Sequence, residues 1–81
     1  MNNQPNPFSE ATTIAFTLDK PNDVQLEIFD ISGKHLEVLL SQKLTAGNHQ
    51  VSFDAAEYAK GVYLYQLSSD EFSVTNKLVK Y

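Results

Sequence analysis

The residues that could do chemistry are few in this sequence and lie far apart. Carboxylates stand at Asp30, at Asp54 and as the pair Asp70-Glu71. Side chains of this kind bind Ca²⁺ or act as general acids and bases when several converge. No D-x-D-x-D spacing occurs, and all four fall at turns or strand ends. Asp in such positions accepts backbone N–H bonds, so turn capping is the expected role. His35 and His49 are the only imidazoles. A catalytic triad or zinc site needs partners at suitable spacing, and none is visible. Both histidines are expected as partly buried strand residues. No catalytic, cofactor-binding or metal-binding residue can be assembled, so a non-enzymatic protein is expected.

Two other groups could bind rather than react. Phe29, Tyr58, Tyr63, Tyr65, Phe72 and Tyr81 could stack sugars if their rings were exposed and coplanar. Tyr63 and Tyr65 share one face of a strand, and aromatics dominate β cores, so packing is the expected role. Lys77 and Lys80 flank Leu78-Val79 at the C-terminus. Lysines on an edge strand block sheet-to-sheet aggregation. They could equally be read by an acidic or polar groove on a partner. Both ammonium groups are expected in water, so changing both to Glu should leave the fold nearly intact. Deleting 77–81 should weaken it, because one of Leu78 and Val79 must face the core.

The elements that would position these residues are strands. Turn residues recur at the spacing of about 8 to 12 residues that marks an all-β sandwich. "TTIAFTL" (12–18) alternates, with Ile14, Phe16 and Leu18 on one face. "VQLEIFDI" (24–31) follows, with Val24, Leu26 and Ile28 inward. Gly33 in "SGK" supplies the positive φ of a tight turn before "HLEVLL" (35–40). "HQVSF" (49–53) sets His49, Val51 and Phe53 together. "DAAEYAKG" (54–61) is the longest connection, with room for one helical turn. "VYLYQL" (62–67) has the continuous apolar character of a central strand covered on both faces. "FSVTNKLVKY" (72–81) closes the chain. That makes six strands, with a seventh expected from 5–10 or 41–45. Phe16, Leu26, Ile28, Phe53 and Leu67 form the expected core.

Composition narrows the functions. Eighty-one residues make one domain, 1–81, with 1–4 as lead-in. A chain this short buries only ~60% of its unfolded surface, so its core is thin. There is no cysteine, and packing alone must hold the fold. The net charge is −4, from ten acidic residues against six lysines and no arginine, which disfavours nucleic acid. No apolar run approaches the ~20 residues that span a bilayer as a helix, and "MNNQPNPF" lacks the pattern of a signal peptide.

A set of segments in fixed order resembles a known family. "PNPF" (Pro5, Asn6, Pro7, Phe8) precedes "TTIAFTL". "VQLEIFDISGKHL" carries Asp30 and Gly33, "TAGNHQVSFDA" carries Gly47, Phe53 and Asp54, and "GVYLYQL" carries Gly61, Val62, Tyr63 and Tyr65. "NKLVKY" ends the chain. Together, from about Pro5 to Tyr81, they look like the type A C-terminal sorting domain of the type IX secretion system. The sequence departs from that pattern at Gln4, where Tyr is usual, and at Phe53, where Trp is frequent. The resemblance implies a seven-stranded immunoglobulin-like antiparallel β-sandwich at the end of a secreted cargo protein. It implies recognition by the outer-membrane translocon of a Gram-negative bacterium, with Lys77, Leu78, Val79, Lys80 and Tyr81 as the candidate recognition residues. It also implies removal by a surface sortase-like protease, attachment of a surface anchor, and a secreted or cell-surface location. A structural immunoglobulin-like domain of the flagellar hook-cap kind shares a similar "GVYxYxL" strand and stays an alternative, as does a carbohydrate-binding module.

Overall fold

The computed structural model describes residues 10–81 in full and residues 2–4 as backbone. Pro5, Asn6, Pro7 and Phe8 lie outside the described residues. Six long strands, not seven, build the fold: β2 (Ala11–Leu18), β3 (Asn22–Asp30), β4 (His35–Leu44), β5 (Gly47–Asp54), β6 (Gly61–Ser68) and β7 (Ser73–Lys80). To these is added a three-residue segment, β1 (Asn2–Gln4), in what reads from sequence as lead-in. All pairings are antiparallel. One sheet runs β1-β2-β5 and the other β4-β3-β6-β7.

Period-two alternation decides which side of each strand meets the core. Ile14, Phe16 and Leu18 of β2 face inward with Val24, Leu26 and Ile28 of β3. Phe53, Tyr63, Tyr65, Leu67 and Leu78 complete one cluster drawn from both sheets. All five residues expected as core are 4% exposed or less. β6 is central, between β3 and β7, as its apolar run suggests. Its outer residues Val62 and Leu64 are only half-buried, because the other sheet covers one face alone.

The segment 41–45 is not a separate strand. β4 continues into it and ends at Leu44, paired with Asn22. Its poor alternation has a local cause. The register shifts twice against β3, leaving Leu39 and Leu36 as extra residues on β4. Each such bulge lets one more side chain turn inward, and both leucines pack against the core.

The β3–β4 turn shows what the polar residues do. Asp30 Oδ1 accepts hydrogen bonds from the Ser32 hydroxyl (2.6 Å), Ser32 N (2.9 Å) and Lys34 N (2.9 Å). The Ser32 hydroxyl foremost, then the Lys34 amide, hold the Asp30 carboxyl below its usual pKa. Gly33 sits at φ +94°, a conformation that L side chains rarely adopt, and no atom lies where a Cβ would go. The requirement for glycine there is backbone geometry alone.

Candidate functional site

Among the described residues β7 is the end strand of its sheet, paired with β6 from Gly61↔Lys80 to Ser68↔Ser73. Its two rows of side chains have different fates. The inward row holds Asn76, Leu78 and Lys80; Leu78 is fully buried and Lys80 is 7% exposed. Asn76 lies opposite Tyr65 and its side chain hydrogen-bonds the buried phenol, so that strand pair carries its own polar satisfaction. The outward row holds Lys77 and Val79, while Tyr81, just past the strand, is 70% exposed.

Lys80 does not place its ammonium in water, which corrects the expectation from sequence. Its stem runs inward beside Leu78 and its Nζ donates to the carbonyl oxygens of Ala55 and of Tyr58 (2.6 Å). Lysine can bury its methylenes while its head finds oxygen. Here the oxygen belongs to the connection between β5 and β6. That connection is pinned elsewhere too. Asp54 Oδ1 accepts from Ala56 N (3.0 Å), and Ala55 N donates to Glu10 O (2.8 Å). Tyr58 OH donates to Glu37 Oε1 (2.6 Å), and Tyr63 OH donates to Ala59 O. The rings of Phe53, Tyr58 and Tyr63 lie in contact, with centroids 5.7 and 5.8 Å apart.

The Glu37 carboxylate, with burial second, pushes the Tyr58 phenol from 10.0 to about 12. A phenol held neutral in the fold contributes fully below pH 10, and the contribution is lost as pH rises toward 12. Urea unfolding between pH 8 and 11.5 should therefore show a steeper loss of stability for the natural protein than for Tyr58→Phe. Parallel curves would mean that the Tyr58–Glu37 bond adds nothing.

The outward row of β7 belongs to a different surface. Lys77 lies opposite Leu64, and Leu64 opposite Phe29; Val79 lies opposite Val62. Phe29, Leu64, Gln66 and Thr75 line a shallow depression there with Gly33. Ile31, in the adjoining turn, is 66% exposed. The outer face near the C-terminus is thus a half-exposed apolar strip beside the Lys77 ammonium. Of the five candidate recognition residues, Lys77 and Val79 lie in the outward row and Tyr81 just past it, while Leu78 and Lys80 serve the interior.

A family profile described as the secretion system C-terminal sorting domain matches residues 4–81. The chain belongs to this family. No curated protein matched the sequence. Several of the motif residues have a visible place in the fold. Phe53, Tyr63 and Tyr65 are core, Asp30 and Asp54 cap turns, and Gly33, Gly47 and Gly61 all take positive φ. Membership implies a cargo N-terminal to the domain, export by type IX machinery, and a secreted or cell-surface destination. Among the described residues, no helix is long and apolar enough to cross a membrane.

The histidines of the sorting domain divide. His49 is half-buried, stacked on Phe16 (5.6 Å), with Nε2 at 2.8 Å from Thr45 O. His35 is exposed rather than partly buried, 3.0 Å from Glu27 Oε2 and edge-on to Phe29. It pairs with Phe29 on the outer face beyond the second bulge, and among the described residues no second layer covers that face. Asp70 is exposed, and Glu71 pairs with Lys20 at 2.9 Å on the surface. Sequence pattern does not reveal Ala55 and Tyr58 as partners of the C-terminal strand, nor Glu37 as the partner of Tyr58. A lone tyrosine within an otherwise small and polar connection is the one signal that this loop packs.

Proposed function

We propose that this domain is a type IX C-terminal sorting signal with no catalytic activity, folded as an immunoglobulin-like sandwich. The family match across residues 4–81 carries the reading. The outer-membrane translocon reads the folded domain at the outer face of β6–β7, where Lys77 and Val79 border the apolar strip of Phe29, Val62 and Leu64. A surface sortase-like protease then removes the domain and a surface anchor replaces it. Two features support this surface. Among the described residues β7 is the end strand of its sheet, next to β6. The apolar strip is half-exposed in a protein whose core has already taken its share of large side chains. A sugar-binding platform has less support, because Tyr63 and Tyr65 are buried.

The test is transfer of export. Residues 1–81 are fused to the C-terminus of a reporter that carries its own periplasmic export signal, in a host with the type IX system. The reporter should reach the surface or medium. Lys77→Glu should melt nearly as the natural domain does, since an exposed charge contributes at most about 1 kcal/mol. It should nevertheless lose export. A natural fusion that stays periplasmic while a native cargo is exported would end the sorting reading. A folded Lys77→Glu fusion that is exported normally would end the role of this face.

A further inference from the structure

The β1-β2-β5 sheet has an unfinished edge. β5 pairs with β2 along its whole length, from Ala11↔Asp54 to Leu18↔Gly47. β1 covers the opposite edge only at Thr13–Ala15, through Asn2↔Ala15, Asn3↔Ile14 and Gln4↔Thr13. Among the described residues, no strand pairs with that side of Phe16, Thr17 and Leu18. Beside this bare edge a groove opens between the sheets, lined by Phe16, Leu18, Leu67, Phe72 and Val74. Val74 is 39% exposed and Phe72 half-buried, so apolar surface there faces solvent.

The β1–β2 register is antiparallel, so each step upstream along β1 advances one position along β2 toward Leu18. We infer that the linker joining the cargo to this domain continues β1 along that edge and fills the groove. The residue just before the first of the 81 then falls opposite Thr17, and the one before it opposite Leu18. Cross-strand partners share a face. Leu18 is buried and Thr17 exposed, so the position opposite Leu18 takes an apolar side chain and the position opposite Thr17 a polar one. The fitting occupant is an extended, β-branched linker that alternates apolar and polar, rather than a glycine-rich tether. Such a linker finishes an edge that is otherwise open to other chains. It also makes the domain stiffest when attached to its cargo.

This inference rests on the sorting reading only in supposing that a cargo precedes the domain; its test uses purified protein and no secretion. Three forms of the chain are compared: the 81 residues alone, the same with Val-Thr-Val-Thr added at the N-terminus, and the same with Thr-Val-Thr-Val. The two extensions have one composition and opposite phase. The first should raise the melting temperature. It should also slow hydrogen exchange at least tenfold for those amides among Phe16–Leu18 that do not bond to β5. The second should do neither to the same extent. A second measurement is independent of stability. The chain has no cysteine. A Cys placed directly before the chain should form a disulfide with Thr17→Cys and not with Asp19→Cys. Equal protection by both extensions, or equal cross-linking to both positions, overturns the inference.

Discussion

Lys80→Glu is expected to bring the domain close to unfolding, while Lys77→Glu, three residues away, leaves it nearly unchanged. The two lysines look alike in the sequence, and the difference comes from where each ammonium ends. The Lys80 Nζ is held by the carbonyl oxygens of Ala55 and Tyr58 in a site that is 7% exposed. Glu there would turn a carboxylate toward two carbonyl oxygens and remove their donor. An uncompensated buried charge costs about 3–5 kcal/mol. A chain of this length has a total stability of about 4–12 kcal/mol, and each 1 kcal/mol moves the melting temperature by roughly 4–8 °C. The drop should therefore exceed 10 °C. Lys80→Met separates charge from packing. It keeps a linear apolar stem and leaves Ala55 O bonded to Tyr58 N (3.0 Å), so its cost should fall to about 1–3 kcal/mol. Thermal melting by circular dichroism ranks the variants. Equal melting of Lys80→Glu and Lys77→Glu would mean that Lys80 is not held inside. An inward-pointing charge on an edge strand also opposes pairing with a second sheet, so Lys80 variants should aggregate more readily once loosened.

Phe53→Ala is the second large effect, at about 3–5 kcal/mol. Phe53 is fully buried, lies opposite the buried Thr12, and touches the Tyr58 ring that closes the connection over it. Its loss leaves a cavity beneath a loop anchored from several sides, which limits collapse into the space. Leu26→Ala and Ile28→Ala, in the middle of the opposite sheet, should cost about 2–5 kcal/mol each. Urea unfolding of the three variants measures this. Midpoints unchanged in most of them would place the strand phases one residue out of register.

Ile14, Phe16 and Leu18 are legible as core from the sequence because their strand alternates without conflict, while Leu26, Ile28 and Leu67 belong to the more apolar phase of strands that also carry Phe29, Val62 and Leu64 outward. In the first of these strands one phase buries every large apolar side chain and the other would bury smaller and polar ones. The turns are legible for a similarly local reason: Asp30 and Gly33 act within four residues of themselves. The "HLEVLL" strand can be located from its residues but neither phased nor ended, because two bulges break its alternation and its second half is polar.

The C-terminal strand marks the limit. In "VTNKLVKY" both rows hold an apolar residue and a lysine, Leu78 with Lys80 and Val79 with Lys77. Local alternation therefore prefers neither row. By itself the sequence determined an all-β chain, its turns, most of its core and the family to which it belongs. All of these follow from side-chain type and near-neighbour spacing. Only the tertiary structure decided that Leu78 and Lys80 turn inward. The carbonyl oxygens that make a buried ammonium tolerable come from Ala55 and Tyr58, more than twenty residues earlier in the chain, and a sequence pattern cannot show a hydrogen bond across that separation.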